Sequence, residues 1–250
     1  MLTFDLARAR VEPGSRVLDV GCGTGRHAFA AWKSSASVVA LDVAIDDLNE
    51  VSGMWHAMAE EGELDSLIGG AVAGDAYHLP LCDRSVDVVV ASEVLEHLHD
   101  DIAAMRECAR VLRPDGMFVV TVPRTGPEAI NWLLSKEYHA NVGGHVRIYR
   151  RSQLVARLGQ AGFIEVAHEY RHGLHSPYWW LRCALGVNRP ERRIVERYHR
   201  LLVWEIMHNP RALRVLGRIL DPLIGKSYVL YLRLDPERRV DNEPSMLVEV

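Results

Sequence analysis

The chain has 250 residues, of which 48% are hydrophobic and 25% charged, the proportions of an ordinary globular protein. A net charge of -4 and an isoelectric point near 6.3 provide no overall attraction to nucleic acid, so we predict no nucleic-acid partner. The length suits one substantial core with a lid or subdomain rather than two full-sized domains.

The cysteines and the first residues of the chain indicate the cellular compartment of the protein. Cys22, Cys82, Cys108 and Cys183 are scattered and form no C-x-x-C pair. This spacing argues against a zinc site or a disulfide framework and favours a reducing cytoplasm. The first residues, MLTFDLARARVEPG, contain no apolar signal-peptide core, and no stretch reaches the roughly 18 apolar residues of a membrane span. We therefore expect a cytoplasmic protein without a membrane span.

Strand-like apolar runs alternate with helical patterns along most of the chain. The predicted strands are Arg16–Val20, Val38–Asp42, Gly70–Gly74, Val86–Ala91, Met117–Pro123, Ile164–Tyr170 and Tyr228–Leu234. The predicted helices between them are Arg26–Lys33, Ala44–Glu60, Asp101–Leu112 and Ser152–Ala161. Short apolar strands separated by such helices indicate an α/β fold, with a mainly parallel sheet sandwiched by helices.

Two connections are predicted as irregular structure. Asp115 and Gly116 form a predicted turn after the third helix, which Pro114 helps to stop. Arg124–Arg151 is predicted as a loop because it contains the pairs Gly-Pro and Gly-Gly.

A long insertion, Gly173–Gly225, separates the last two strands and is rich in arginine and aromatic residues. Leu213, Leu216, Leu220 and Leu223 recur in it at helical spacing, so we predict that part of it packs as helix. The predicted organisation is an α/β domain over 1–172, a helical cap over 173–225, the last strand over 226–235 and a loose tail over 236–250.

The stretch VLDVGCGTGRHA, Val17–Ala28, is a strand, a glycine-rich turn and the start of a helix. Such a turn lets the backbone approach a ligand closely, with amide groups at the helix start facing it. A dinucleotide fold would place a third glycine where Arg26 stands, which counts against a pyrophosphate cofactor. The next strand ends at Asp42, a carboxylate placed to accept hydrogen bonds from ribose hydroxyls.

With these features the sequence resembles the class I S-adenosylmethionine-dependent methyltransferases, in the group that includes the ubiquinone- and menaquinone-pathway enzymes. The resemblance lies in VLDVGCGTG, VVALDVA, GDAYHLPLCDRSVDVVVASEVLEHL, ECARVLRPDGMFVVTVP and RSQLVARLGQAGFIEV, which follow the family's order. It implies a seven-stranded Rossmann-like sheet and S-adenosylmethionine as cofactor.

The resemblance also implies which residues hold that cofactor. Asp19 and the loop Gly21–Gly25 would hold its methionine part, Asp42 its ribose, and Asp75 with Ala76 its adenine, while the strand end at Ala91–Glu93 would lie beside the sulfonium. The implied set is Asp19, Gly21, Cys22, Gly23, Gly25, Asp42, Val43, Asp75, Ala76 and Ser92.

The stretch SEVLEHLHD, residues 92–100, brings two carboxylates and an imidazole together. On a helix, Glu93, Glu96 and His97 would share one face at i, i+3 and i+4, and carboxylate oxygens suit Mg²⁺. The resembling ubiquinone-pathway O-methyltransferases carry a similar E-x-x-E-H segment linked to a divalent metal, with a further histidine for which His145 is the candidate here. The predicted metal ligands are Glu93, Glu96, His97 and His145, and the predicted catalytic residues are His145, Glu93 and His97. A metal-free, pocket-lining role stays open.

Several other groups in the variable segments could reach a substrate. They are His139, His172, His175, Trp132 and Tyr178-Trp179-Trp180. For the aromatic residues we predict core packing, with sugar stacking as the alternative, and a lone histidine is more often structural. Arg189–Arg200 reads either as an anion patch or as a solvated, ion-paired helix face. The leucines of the insertion could form internal core or a homodimer face.

The leading hypothesis is O-methylation of a small hydroxylated acceptor. A sugar or oligosaccharide is favoured by the aromatic and arginine-rich insertion and by a looser resemblance to actinobacterial sugar methyltransferases of polymethylated polysaccharide synthesis. The alternatives are C- or O-methylation of a quinone, lipid or polyketide, and a non-catalytic scaffold that binds the cofactor.

Overall fold

A computed structural model of the chain describes residues 2–62, 69–139, 146–187 and 192–239. Its seven strands form one sheet in the order β3-β2-β1-β4-β5-β7-β6. The strands are β1 Arg16–Val20, β2 Ser37–Asp42, β3 Gly69–Ala73, β4 Val86–Ser92, β5 Leu112–Pro123, β6 Phe163–Arg171 and β7 Ser227–Leu234. Among the described strands, β7 alone runs opposite to the other six, so the prediction of a mainly parallel, seven-stranded Rossmann-like sheet is confirmed.

Helices cover both faces of this sheet. In chain order they are α1 Arg26–Trp32, α2 Ile45–Glu60, α3 Asp101–Val111, α4 Thr125–Leu134, α5 Lys136–His139, α6 Arg151–Gln160, α7 His175–Leu185, α8 Arg193–His208, α9 Arg211–Ile224 and α10 Pro236–Arg239. A single turn of 3₁₀ helix, Leu95–His97, follows β4. None of the described helices is both long enough and apolar enough to cross a membrane.

The central strands are buried on both faces, which explains why their sequences are runs of valine rather than alternating patterns. Leu18, Val89 and Phe118 lie side by side in register on β1, β4 and β5 and point into one apolar cluster. The residues Val17 and Val88, one position earlier on β1 and β4, point into a second cluster on the opposite face. The two clusters together hold the sheet rigidly between its helices.

The carboxyl edge of the sheet collects the ends of several strands. β1, β2 and β4 end there because they are parallel, and β7 begins there, since Ser227 pairs with Pro123 at the end of β5. β1 lies between β2 and β4, so the chain order reverses at this point of the sheet. In open α/β sheets the crevice outside such a reversal is where ligands bind.

The prediction of a loop over Arg124–Arg151 is wrong, because residues of this stretch form α4 and α5. Pro127 lies in the first turn of α4, where a missing N–H costs little, so it starts the helix rather than breaking it. Residues 140–145 lie outside the described part of the chain.

The predicted turn at Asp115-Gly116 is also wrong. β5 begins at Leu112, directly after α3, and the pairing with β4 shifts between Val86 and Val88, so the extra residues form a bulge. Pro114 is tolerated there because a bulge needs no ladder hydrogen bond from it. The tail is not wholly irregular either, since α10 follows β7, while residues 240–250 are not described.

The insertion between β6 and β7 is helical, as predicted, and consists of α7, α8 and α9. The leucine pattern that predicted helix falls within α9. These helices differ in burial: α7 and α8 contribute Tyr178, Val195 and Leu202 to a small apolar cluster, whereas no residue of α9 is buried.

Candidate functional site

The glycine loop between β1 and α1 is a tight turn whose three glycines all have positive φ. Gly21, Gly23 and Gly25 have φ of 65°, 50° and 82°, a region that side chains other than glycine rarely occupy. A Cβ on Gly21 would lie 2.5 Å from a methyl group of Val94, and one on Gly25 would lie 2.8 Å from the ring of Phe29. Gly23 has open space where its Cβ would be, so a ligand can approach the backbone closely there.

Asp42, at the end of β2, is tied to this loop. Its Oδ2 accepts the N–H of Gly23 at 2.8 Å, and its Oδ1 accepts the N–H of Ala44 at 2.9 Å. Each carboxylate oxygen keeps a second lone pair for a further donor, such as a ribose hydroxyl. Val43, the next residue, is 73% exposed at the same edge.

Asp19, near the end of β1, is 1% exposed and joins β1 to α1. Its Oδ2 accepts the N–H of Ala28 at 3.0 Å. Burial raises the pKa of this carboxyl from 3.8 to about 7. Cys22 follows in the loop, where burial raises the pKa of its thiol to about 12, which keeps it an uncharged thiol.

The predicted adenine residues lie beyond β3. Asp75 is exposed and accepts the N–H of Tyr77 at 2.9 Å, which fixes a turn closed by a bridge to His78. Ala76 is 8% exposed and packs in the core. The turn thus presents the carboxylate of Asp75 to solvent beside the end of the sheet.

A chain of hydroxyl groups and a carboxylate lies at the end of β4. Ser92 Oγ is 2.9 Å from Thr121 Oγ1, and Thr121 donates to Glu93 Oε1 at 3.2 Å. Glu93 has φ of 58°, and its N–H donates to the carbonyl of Thr121 at 2.9 Å. This left-handed backbone turns the chain sharply at the strand end and is typical of functional positions. Sequence reasoning missed Thr121; a threonine within the apolar run VVTVP was the available signal.

Glu96 is wholly buried in the 3₁₀ turn that follows. Burial, the charge of Glu93 and the charge of Glu128 raise the pKa of Glu96 well above its ordinary value. Glu96 therefore holds a proton more readily than an ordinary glutamate does.

The helical arrangement predicted for Glu93, Glu96 and His97 is wrong. Glu93 precedes the single turn Leu95–His97 and is not helical, while Glu96 is buried and His97 is exposed. Within residues 2–62, 69–139, 146–187 and 192–239, no group of three or more His, Cys, Asp or Glu side chains could hold a metal ion. His145, the fourth predicted ligand, lies outside these ranges, so the described residues do not form the predicted metal site.

The segment just after His145 is nevertheless anchored at this edge. The N–H of Val146 donates to the carbonyl of Glu96 at 2.9 Å. Tyr149 donates to the carbonyl of Leu95 at 3.0 Å and to the carboxylate of Asp101. Arg157 and Arg147 also pair with Asp101, which is wholly buried, so their charges lower the pKa of this carboxyl. These contacts fix the 3₁₀ turn.

A cavity of about 250 Å³ opens beside Glu93, between the carboxyl edge of the sheet and the inserted helices. It is lined by Thr3, Arg26, Glu93, His172, His175, Trp179, Ile206, Lys226 and Ser227. Arg26 is the first residue of α1, so the cavity adjoins the glycine loop. Of the residues predicted to be catalytic, Glu93 lines this cavity, whereas the exposed His97 does not.

Two histidines of this cavity, His172 and His175, were only lone candidates in the sequence. The structure places their rings 5.3 Å apart, at the end of β6 and the start of α7. Burial lowers the pKa of His172 to about 3 and that of His175 to about 4, so both imidazoles are neutral at pH 7. A neutral imidazole can accept a hydrogen bond from a hydroxyl group.

The aromatic residues of the insertion serve mainly in packing. Tyr178 is buried, and Trp180 donates its indole N–H to the carbonyl of Pro127 at 3.1 Å. Trp179 lines the cavity, but Lys226 Nζ lies 4.7 Å from its ring centre and the guanidinium of Arg182 lies 5.0 Å away. Since cations occupy this ring, stacking of a sugar on Trp179 is not favoured.

The residues at this edge fit S-adenosylmethionine. The loop offers a backbone close to open space at Gly23, and Asp42 is held by two amides with lone pairs to spare. Asp75 and the exposed Val43 lie along the same edge, and Glu93 lies at its far end beside the cavity. Such an edge can hold an adenosyl group on one side and an acceptor on the other.

Comparison with known proteins agrees with this geometry. Residues 18–120 match the family described as a methyltransferase domain. A ubiquinone biosynthesis O-methyltransferase of Xanthomonas campestris pv. campestris is 37% identical over 147 residues, 54% of this chain and 59% of the relative. A probable S-adenosylmethionine-dependent methyltransferase of Mycobacterium tuberculosis is 32% identical over 151 residues, 60% of this chain and 49% of the relative.

The matched region spans only part of these proteins, between 39% and 59% of the first curated relatives. Among solved structures, a putative methyltransferase of Bacillus halodurans shares the fold with a TM-score of 0.58 at 21% identity, covering 92% of this chain and 99% of that one. Fold, glycine loop and family match agree. Residues 18–120 are therefore similar to the methyltransferase domain of S-adenosylmethionine-dependent methyltransferases.

Proposed function

We propose that the protein transfers the methyl group of S-adenosylmethionine to a hydroxyl of a small acceptor bound in the cavity beside Glu93. The observation that carries this proposal is the position of the Glu93 carboxylate. It lines the cavity, at the strand end next to the glycine loop, and is fixed by Thr121. A carboxylate held at the boundary between cofactor loop and acceptor cavity is placed to receive a proton.

The cofactor supplies an activated methyl group, and the chain's own residues supply alignment and proton transfer. A hydroxyl group must lose its proton as its oxygen attacks, and a positioned base contributes on the order of 10²–10⁴-fold to the rate. In this proposal Glu93 accepts the proton, because Glu93 lines the cavity whereas the neighbouring Glu96 is wholly buried, which raises the pKa of Glu96. His172 and His175, as neutral imidazoles, accept hydrogen bonds that orient the acceptor.

The inserted helices close the far side of the cavity. Trp179 of α7 and Ile206 of α8 line it opposite the strand end. They exclude water from the methyl acceptor and hold it in line, and alignment of this kind supplies about 7–11 kcal/mol in favourable systems.

The lining favours a polar, hydroxylated acceptor, of which a sugar is our first candidate. Arg26, Glu93, His175, Lys226 and Ser227 give the cavity many hydrogen-bonding groups. This support comes from hydrogen bonding and not from stacking on Trp179, since Lys226 and Arg182 lie against the ring of Trp179.

A quinone or lipid hydroxyl is the second candidate. Ile206 lines the cavity and is also 43% exposed, so it connects the cavity with the apolar surface of the inserted helices. The likeness to a ubiquinone biosynthesis O-methyltransferase supports the same class of acceptor. Carbon methylation of such an acceptor would instead release the proton of the methylated carbon, and NMR of the product distinguishes the two reactions by identifying the methylated atom.

The cytoplasmic location, the homodimer, the absence of a nucleic-acid partner and the role of His145 stay predictions. We derive no step through a metal, because the described ligands do not converge on one ion. Replacing His145 with alanine and assaying the variant with and without EDTA tests both the ligand and the base role of this residue.

The test of the function is turnover to S-adenosylhomocysteine with a panel of hydroxylated sugars, quinols and lipids. The Glu93→Gln variant should lower kcat by about 10²–10⁴-fold with little change in cofactor affinity. Glu12→Gln, an exposed carboxylate at the opposite edge of the sheet, is the matched control and should retain full activity. Normal cofactor binding without methylation of any acceptor would favour the non-catalytic scaffold instead.

A further inference from the structure

We propose that the outward face of α9 docks on an anionic lipid membrane surface, with the helix lying in the plane of the interface. The outward face consists of Arg211, Arg214, Val215, Leu216, Arg218, Ile219 and Leu223. This surface shares no residue with the cavity beside Glu93, so its test does not depend on the proposed function.

The apolar part of this face is large and uncovered. Val215, Leu216, Ile219 and Leu223 are 56%, 42%, 57% and 66% exposed. At about 100° per residue, these four side chains occupy one arc of about 100°. Four large apolar side chains exposed together on one helix mark an interaction surface rather than scattered surface residues.

The opposite side of α9 is already engaged. A Cβ on Gly173 would lie 2.7 Å from the backbone of Leu220, so the helix packs directly on the chain after β6. Asp221 turns inward and accepts the N–H of Gly173 at 2.7 Å. The exposed apolar arc therefore cannot be covered by the sheet without breaking these contacts.

Arginines border the apolar arc, and few carboxylates balance them. Arg211, Arg214 and Arg218 fall in a neighbouring arc of the helix and make no ion pair within the described ranges. Residues 193–224 contain six arginines and three carboxylates, in a chain whose net charge is -4. Of the three, Asp221 points inward and Glu205 is half-buried.

The arginines and the apolar arc of α9 together favour an anionic lipid bilayer over a second copy of the chain as the binding partner. A helix with a wide apolar arc beside arginines, and with low overall hydropathy, is the pattern of an interfacial helix that binds anionic lipid. A second copy in a two-fold arrangement would bring the same arginines toward each other with little acidic surface to receive them. An anionic bilayer supplies both the negative charge and the apolar interior.

The neighbouring helix α8 also exposes apolar side chains beside arginines. Trp204 and Met207 of α8 are 46% and 75% exposed and lie among Arg197 and Arg200 on its outer side. Tryptophan and arginine are suited to the boundary between lipid and water, because each has an apolar body and a polar end.

The outward face of α9 also lies near the acceptor cavity. A second cavity of about 230 Å³ lies between α9 and the start of α7, lined on one side by Leu213 and Arg214. It shares His172 and His175 with the cavity beside Glu93. A lipid held against α9 would therefore lie next to the entrance of the methyltransferase site.

Vesicle sedimentation of the full chain tests the proposal. The wild type should bind vesicles of equal parts phosphatidylglycerol and phosphatidylcholine at low salt, and should bind pure phosphatidylcholine at least tenfold more weakly. The double variant Ile219→Ser/Leu223→Ser should lower the partition coefficient at least tenfold. Its matched control, Met54→Ser/Leu133→Ser, changes side chains 54% and 85% exposed on other helices and should bind as the wild type does.

A charge variant separates lipid electrostatics from a general loss of positive charge. Replacing Arg211, Arg214 and Arg218 with glutamine should weaken binding roughly 100-fold, because each arginine near an anionic surface contributes about fivefold. A control that replaces Arg10, Arg84 and Arg106, which are exposed elsewhere, should have far less effect.

Two results would overturn the proposal. The first is equal vesicle binding by the α9 variants and their controls. The second is a wild type that ignores vesicles but sediments as a dimer in the ultracentrifuge, with Ile219→Ser/Leu223→Ser sedimenting as a monomer, which would make the face an interface between copies. Unchanged far-UV circular dichroism and melting temperature would show that the variants remain folded.

Discussion

The central strands and helix α9 are both rich in large apolar residues, yet the structure uses them in opposite ways. β4 and β5 bury almost every apolar side chain they contain, whereas α9 buries none. The strands are covered on both faces by helices, while α9 touches the protein along one side only. An apolar sequence alone therefore does not tell whether its side chains are buried. The strands are covered by helices of the same chain, whereas the apolar arc of α9 is exposed.

The largest effect on folding should come from the sheet. Phe118 of β5 is wholly buried, and its ring centre lies 4.7 Å from that of Phe163. Phe118→Ala leaves a cavity in the core and should lower the free energy of unfolding by about 3–5 kcal/mol in urea denaturation. If the free energy of unfolding fell by less than about 1 kcal/mol, the core would have closed around the missing ring. The difference in burial between the strands and α9 would then matter less for stability.

A substitution at Asp19, at the cofactor edge of the sheet, should raise the free energy of unfolding, and the gain should depend on pH. The pKa of Asp19 is raised from 3.8 to about 7 by burial, so ionising this carboxyl costs the folded state stability as the pH rises through that range. Asp19→Asn removes this cost and keeps an oxygen for the N–H of Ala28. The variant should match the wild type below pH 4 and exceed it by up to about 4 kcal/mol at pH 8.

The measurement for Asp19 is urea denaturation at several pH values. Its control, Asp46→Asn, makes the same substitution at an exposed carboxyl of α2. The same Asp19→Asn protein should bind S-adenosylmethionine more weakly if Asp19 holds the methionine part. A flat difference between pH 4 and 8 would contradict the raised pKa.

A smaller effect separates backbone strain from ligand contact in the glycine loop. Gly23 and Gly14 both have positive φ, 50° and 83°, and both have open space around a new Cβ. Alanine at either position should therefore lower stability by about 1–2 kcal/mol, from left-handed strain alone. Only Gly23→Ala should also weaken S-adenosylmethionine binding in calorimetry; equal affinities for the two variants would place the ligand elsewhere.

The smallest effect on stability should come from α9. Leu223 is 66% exposed, so Leu223→Ser removes little packing and should change the free energy of unfolding by less than about 0.5 kcal/mol. The measurement is the same urea titration as for Phe118→Ala. A loss above about 2 kcal/mol would show that α9 is covered in the folded protein, and the difference between the two regions would disappear.

Much of the fold could be predicted because its signals are local. The valine-rich strands, the spacing of the helices and the glycine turn each depend on neighbouring residues, and β1 begins and ends where the sequence predicted. The loop predicted over Arg124–Arg151 failed since Gly-Pro was taken as a break, although Pro127 is tolerated in a first turn. The turn at Asp115-Gly116 failed because a bulge absorbs the same residues within a strand.

The site was less predictable, because its members meet only in space. The spacing of Glu93, Glu96 and His97 suggested one helical face, yet the left-handed backbone at Glu93 ends the strand in a different direction. Thr121 and Lys226 joined the site from β5 and from the start of β7, which no local pattern could connect to Glu93.

The sequence by itself determined the class of fold, the glycine loop and the carboxylate at the end of β2, since these follow from short-range pattern and backbone geometry. Only the tertiary structure decided that Glu96 is wholly buried beside Glu93, which raises the pKa of Glu96. It also decided that His172 and His175 share a cavity with Glu93 and that the apolar arc of α9 faces outward. Burial and proximity depend on how distant segments pack, and a linear pattern of residues does not contain that information.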